Sequence, residues 1–236
     1  MTKQNTNFAI DWGRVGEAMQ AQGYAVIPPF LSRSLCEQIR SFYDDPGVSF
    51  RSTINMARYN FGRGEYKDFA YPLPEPVQQL RAYFYENLAP IANQWERCFG
   101  REPSWPENLA QLTEHCHQHN QYRPTPLLLR YEEHDYNCLH QDLYGPIHFP
   151  LQVVVQLSRE GEEFSGGELV LVEQRPRMQS RPVVLHLEQG SAAIIPVRER
   201  PRQGVRGYHK AAMRHGVSEV KTGCRQTLGL IFHDAA

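Results

Sequence analysis

No stretch of this 236-residue chain is apolar for long enough to cross a bilayer: the longest runs, such as LQVVVQL at 151–157, stop far short of the roughly 20 residues a membrane helix needs. The opening residues, MTKQNTNFAIDW, lack a basic stretch followed by an apolar one, so a soluble, cytoplasmic protein with no membrane partner is expected. Cysteine is sparse. The five, Cys36, Cys98, Cys116, Cys138 and Cys224, are widely spaced and include no C-x-x-C pair, which argues against a zinc ribbon or dithiol motif and for reduced thiols. Net charge is almost absent too, at −1.

That near-zero total hides an asymmetry. Residues 175–225 hold 11 Lys or Arg against 3 Glu, a balance of +8, whereas residues 1–174 hold 14 basic and 22 acidic side chains, a balance of −8. Such a basic segment either pairs with the acidic first part or forms a rim that attracts an anionic substrate. At 41% hydrophobic the chain has enough apolar side chains for one sizeable core, and we read 1–236 as a single domain.

Its first part, 1–110, reads as a mainly helical support region. DWGRVGEAMQAQ forms a helix stopped at Gly23, SRSLCEQIRSFYDD a second helix capped by Ser32 or Ser34, and PEPVQQLRAYFYENLAPIANQWERCFG a further helix or helix pair around Pro90. The cluster HCHQH, 115–119, reads as a polar helix end, because no second ligand pair follows at zinc-finger spacing. MARYNFGRGEYKDFAYPLP, with Tyr59, Phe61 and Tyr66, reads as a second hydrophobic core beneath the helices, with pocket lining as the alternative.

From Leu127 the pattern changes to short β-branched or aromatic runs separated by turn residues: LLLRYEE, IHFPLQVVVQLS, GELVLVEQ, PVVLHLE, SAAIIPV, RHGVSEV and RQTLGLIFHD. With no long crossover helix between them, these strands predict an antiparallel sandwich or barrel over 125–236. The expected fold class is α+β.

His140 and Asp142, in NCLHQDLYG, stand two apart, so on a strand they share a face and can offer an imidazole and a carboxylate to one ion. An oxygen-activating iron centre needs a second histidine. Of His186, His209, His215 and His233, His215 stands out because Arg225 follows ten residues later, heading a strand with Thr227 on the same face. An arginine there can hold a distal carboxylate bidentately, and the hydroxyl can add a hydrogen bond.

Taken with RY at 130–131, FSGGELVL, LEQGSAAIIP and RHGVSEVKTGCRQTLGLIF, this ordered set resembles the 2-oxoglutarate and Fe(II)-dependent dioxygenase superfamily, nearest its prolyl-hydroxylase-like branch, over about Leu127–Asp234. The resemblance implies a double-stranded β-helix, also called a jelly roll or cupin-like core. It also implies Fe(II), 2-oxoglutarate and O₂ as cofactor and co-substrates, with His140, Asp142 and His215 as catalytic metal ligands, Arg225 on the C5 carboxylate, and Thr227 and Tyr131 as further co-substrate contacts. Retention of Asp142 implies hydroxylation, with 2-oxoglutarate decarboxylated to succinate, rather than halogenation.

Substrate contacts are expected from Tyr144, two residues past Asp142, and from Arg206 and Arg214 in the basic loops. Phe149 is a further pocket-lining candidate. A small molecule or protein side chain, possibly anionic, is the expected substrate. The second reading is an oxidative demethylase of nucleic acid or nucleotides. It ranks lower because Arg225 follows His215 closely for the nucleic-acid repair branch and position 231 is Ile where that branch has a second arginine. A third is a non-catalytic cupin-like binding protein.

Overall fold

The computed structural model describes residues 8–175 and 177–236. Its helices are α1 (Trp12–Gln22), α2 (Arg33–Ser41), α3 (Glu75–Cys98) and α4 (Leu109–Gln118). The strands are β1 (Ala25–Ile27), β2 (Phe50–Asn55), β3 (Gly62–Arg63), β4 (Glu65–Phe69), β5 (Leu127–Tyr131), β6 (Tyr136–His140), β7 (Leu151–Gln156) and β8 (Phe164–Gly166), followed by β9 (Leu169–Gln174), β10 (Arg181–Leu185), β11 (Ala192–Pro196), β12 (Glu199–Gly204), β13 (Gly207–Val217), β14 (Val220–Gly223) and β15 (Arg225–Leu230).

The helix boundaries follow local chemistry. The side chain of Asp11 accepts the Arg14 N–H at the start of α1, and Gly23 takes the left-handed conformation at its end. Ser32 caps α2 through the Leu35 N–H. The 75–98 segment is one helix, not a pair, with Pro90 inside it.

Two antiparallel sheets face each other. The larger runs β1-β11-β7-β15-β5-β4-β2, and the smaller runs β10-β9-β13-β6-β3 with β12 paired to β13. Side chains alternate across each strand, so the inner strands of the larger sheet serve two cores, while β13 of the smaller sheet buries one face and exposes the other. Val153, Val155, Leu228 and Leu230 point outward from the larger sheet and are buried with Val77, Phe84, Leu88 and Trp95 of α3. Leu169, Leu171 and Met213 of the smaller sheet meet Ala193 and Ile195 between the sheets.

The N-terminal part is more than a helical layer. β1 pairs with β11, and β2 and β4 extend the sheet beyond β5, so strands from both ends of the chain build the jelly roll. VRERPRQGVRGYHK is mostly the β12–β13 hairpin, turned at Gly204–Gly207. Gly207, at φ +108°, permits that turn where a side chain would be strained.

The C-terminal segment is locked inside. Asp234 is fully buried and pairs with the Arg81 guanidinium at 2.9 Å. Arg81 also donates to the carbonyls of Ile231 and Phe232. His233, also fully buried, accepts the Phe149 N–H at 3.2 Å through Nδ1, and burial pushes its pKa down to about 3.

A folded-state pKa below the unfolded value near 6.5 means that, between these two values, the unfolded chain binds a proton the folded chain does not. Stability therefore falls as pH drops from about 6.5 toward 3, by up to about 1.4 kcal/mol per pH unit from this one group. Denaturant midpoints measured across that window in the presence of a chelator are expected to fall less steeply for His233→Gln than for the parent.

Candidate metal centre and its two chambers

β13 lies between β9 and β6, and His215 pairs directly opposite His140. Directly opposed residues present side chains on the same face, so both imidazoles enter the space between the sheets. The chain then leaves β6 at Gln141, whose amide donates to the carbonyls of Met213 at 2.8 Å and Arg198 at 2.9 Å. That tether turns Asp142 back over the histidines.

His140 Nε2 stands 3.6 Å, and His215 Nε2 3.2 Å, from the two Asp142 oxygens. Ligand atoms at about 2.1 Å from one ion and at right angles to each other lie about 3.0 Å apart. All three potential ligand atoms fall within 4.8 Å of one another, so the donor set fits one face of an octahedral ion. His140 Nδ1–H donates to the Cys138 carbonyl at 2.8 Å, which leaves Nε2 as the lone-pair nitrogen.

Burial pushes Asp142 up, but the hydrogen bond and charge of His215, with His140 and the Tyr144 hydroxyl, outweigh it and hold the carboxyl well below the usual range. Burial, aided by His215, lowers His140. Both directions favour the protonation states that bind a cation: ionised carboxylate, neutral imidazole.

Beyond the triad lies an inner chamber of about 60 Å³, lined by Tyr131, Arg225, Thr227, Gln152 and the three residues above. Arg225 is 2% exposed, and its Nη1 has no hydrogen-bond partner among the described residues. Burial lowers its pKa to about 10, which leaves it charged at neutral pH. Its guanidinium lies over the Tyr131 ring, 5.7 Å from the centroid, and pairs with no carboxylate among the described residues, so a desolvation penalty stands that an anion in this chamber would offset. Gly167, at φ +64°, makes the room: a Cβ there would stand 2.9 Å from Arg225 Cδ.

Tyr131 faces Arg225 across β5 and β15, and its hydroxyl accepts from Asn137 at 3.3 Å. Gln152 escapes a reading of the sequence, because QVVVQ looks like ordinary strand core. Its amide nitrogen is buried beside the triad without a partner among the described residues, and only the inward alternation of β7 would have pointed to it.

An outer chamber of about 160 Å³ opens on the other side of His140 and Asp142, lined by Met56, Phe61, Tyr66, Gln141 and Tyr144. Tyr144 donates to Asp142 Oδ1 at 2.8 Å, in keeping with its expected place near the centre. Phe61 and Tyr66, expected in a second core, face this chamber: the short β3 pairs with β6 beside Phe61, and β4 pairs with β5 to set Tyr66 opposite Leu129, where it also packs on the small Met56–Tyr131 cluster. Tyr59 and Phe61 are more than 40% exposed and stack with ring centroids 5.6 Å apart.

Other expectations do not hold. Arg206 sits at the tip of the β12–β13 hairpin, nine residues along the chain from His215, and Arg214 alternates to the exposed face of β13, so neither lines either chamber. Phe149 is core, packed against Tyr85, Trp105 and Phe232. His186 and His209, passed over in favour of His215, are exposed; separately, no helix among the described residues is long and apolar enough to cross a membrane.

Comparison with known proteins agrees with this geometry. The Oxygenase-NA family model, described as "Oxygenase, catalysing oxidative methylation of damaged DNA", matches residues 64–235. The chain belongs to this oxygenase family. An uncharacterized protein of Mycobacterium tuberculosis is 45% identical to the oxygenase over 168 residues, 71% of this chain and 72% of that protein.

Among solved structures, a Pseudomonas putida prolyl-4-hydroxylase superposes with TM-score 0.57 at 12% identity, covering 96% of the oxygenase and 100% of that chain. A 2OG-Fe(II) oxygenase family oxidoreductase of Burkholderia pseudomallei gives 0.57 at 15% identity, covering 95% and 93%. At these identities the likeness is one of fold. The matched family segment contains the triad and Arg225, and the oxygenase carries the jelly-roll core of these structures.

Proposed function

We propose that the protein is an Fe(II)- and 2-oxoglutarate-dependent oxygenase in which His140, Asp142 and His215 hold the iron and Arg225 receives the far carboxylate of 2-oxoglutarate. The observation that carries the reading is a buried guanidinium, its Nη1 without a hydrogen-bond partner among the described residues, in the same cavity as a two-histidine, one-carboxylate cluster. A non-catalytic anion-binding protein with the same cavity would differ in turning over no 2-oxoglutarate to succinate.

When bound, the iron and keto acid would supply the oxidising equivalent: one oxygen atom of O₂ enters a substrate C–H bond, and 2-oxoglutarate leaves as succinate and carbon dioxide. The chain's own side chains do the positioning. Arg225 and Thr227 anchor one end of the co-substrate, and Tyr131 limits its sideways freedom. Gln152 supplies a donor at the metal end. Tyr144 keeps Asp142 oriented, and the apolar walls Leu127, Leu129 and Val154 exclude water from the inner chamber.

For the substrate, the family description favours a damaged nucleobase, the reading ranked second from sequence. Insertion of oxygen into an N-methyl group gives an N-hydroxymethyl group, which falls apart to formaldehyde and the free base. The stacked, exposed Tyr59–Phe61 pair beside the outer chamber suits a flat aromatic ring.

Two measurements test the proposal. Anaerobic addition of 2-oxoglutarate to the ferrous protein is expected to give a metal-to-ligand absorption band. In Arg225→Ala the 2-oxoglutarate Kd is expected to rise on the order of 10- to 100-fold, for loss of a bidentate charge-assisted contact. N-methylated oligonucleotides are expected to stimulate succinate formation and release formaldehyde. A ferrous protein that gives no band with 2-oxoglutarate defeats the oxygenase reading, whereas a band without formaldehyde defeats only the choice of substrate.

A further inference from the structure

At the opposite end of the sandwich from Arg225, past the layer of Leu171 and Met213, a separate cavity of about 400 Å³ is lined by Arg181, Arg200, Arg202, Gln20, Tyr24 and Tyr208, with Glu173 in its wall. Glu173 is 5% and Arg200 4% exposed. Arg200 grips one Glu173 oxygen through Nε at 2.8 Å and Nη2 at 2.6 Å, and Arg202 Nη1 holds the other at 2.7 Å. Arg175 also approaches that second oxygen, at 3.1 Å.

One guanidinium would suffice to neutralise Glu173. Gathering more on it leaves an excess of positive charge at a partly desolvated place, where repulsion among the guanidiniums favours an added anion. Arg181 adds a further cation at the same cavity, with no ion pair among the described residues. Three lining arginines against one carboxylate leave a net charge of +2, with Arg175 close by, an excess that a phosphate group would offset.

The arrangement is built into the fold. The turn after α1 closes over the stem of Arg200: a Cβ at Gly23, φ +81°, would lie 1.9 Å from Arg200 Cδ. Gln20 of α1 donates to the Tyr208 hydroxyl at 2.8 Å, joining the turn to the β12–β13 hairpin across the cavity mouth. Glu173 thus acts as a brace that orients Arg200 and Arg202, and the volume exceeds what one phosphate fills, leaving space for the nucleoside attached to it.

We infer that this cavity is a second ligand site, distinct from the metal centre, which binds the phosphate group of a nucleotide or of a nucleic-acid strand through Arg181, Arg200 and Arg202. The inference is independent of the oxygenase reading, since none of these residues lines the inner or outer chamber.

Calorimetric titration of the full chain with inorganic phosphate, with deoxyadenosine 5′-monophosphate and with a short single-stranded oligodeoxynucleotide tests it. At least one probe is expected to bind with a Kd below about 1 mM, and Arg181→Gln with Arg202→Gln is expected to weaken it by on the order of tenfold or more. Arg181→Gln alone breaks no ion pair, so a drop in affinity at unchanged melting temperature and unchanged ferrous binding separates ligand contact from folding.

Tighter binding of the oligonucleotide, with a salt dependence that shrinks in the variant, assigns the site to a strand backbone. Mononucleotide binding as tight as that of the strand assigns it to a free nucleotide. Failure of all three probes to bind, or equal affinity in parent and double variant, overturns the inference.

Discussion

Asp142→Ala is expected to weaken ferrous binding by more than about a hundredfold, since loss of a residue that only supports a ligand already costs 10- to 100-fold in metal affinity. The change removes the one anionic donor of the proposed set and leaves two imidazoles, which cannot by themselves select iron. It also frees the Tyr144 hydroxyl, which donates to that carboxylate at 2.8 Å. Equilibrium dialysis of Fe(II) against parent and variant measures the effect, with circular dichroism as the check on folding. Ferrous affinity that survives in a folded Asp142→Ala protein would remove the triad as the metal site.

Asp234→Ala is expected to destabilise the fold by about 3–5 kcal/mol, the range for stranding one partner of a buried ion pair. The aspartate is fully buried and Arg81 is 1% exposed, so solvent cannot take over the pairing. The Tyr71 hydroxyl, which now donates to Asp234, loses its acceptor as well, while Arg81 retains the Ile231 and Phe232 carbonyls.

The damage is also expected to reach the metal centre. Gln121 donates to the Asp234 carbonyl and to the Ile147 carbonyl, accepts the Ile147 N–H at 2.7 Å, and the Ala236 N–H donates to the Tyr144 carbonyl at 3.0 Å. These bonds hold the 144–147 turn that sets Tyr144 against Asp142. Urea unfolding of Asp234→Ala beside Arg81→Met measures the loss, and a midpoint within error of the parent in Asp234→Ala would show that the pair carries no stability.

The triad was legible because its chemistry demands fixed residue types at short spacing: His140-Gln-Asp142 on one face, and His215 ten residues ahead of Arg225. The antiparallel architecture was legible for a similar reason, in that alternation and turn residues are local signals. Pairing partners are not local.

Nothing in the sequence ties Arg81 to Asp234 across 153 positions, and an arginine amid helix residues reads as solvated surface. The same gap hid the company kept by Phe61, beside a two-residue strand joining β6, and by Tyr66, set by β4 pairing with β5. Arg206 and Arg214 were placed at the pocket on charge alone. The 11-residue length of β13 carries the first away, and strand alternation turns the second outward.

The opposition of His215 and His140 across two neighbouring strands has a further consequence. Were β13 to pair one residue out of step, Arg214 or Gly216 would face the interior and the imidazole would point to solvent. If His140, Asp142 and His215 hold the iron as proposed, retention of the ion would report correct strand alignment, and a misaligned chain would stay colourless when the keto acid is added.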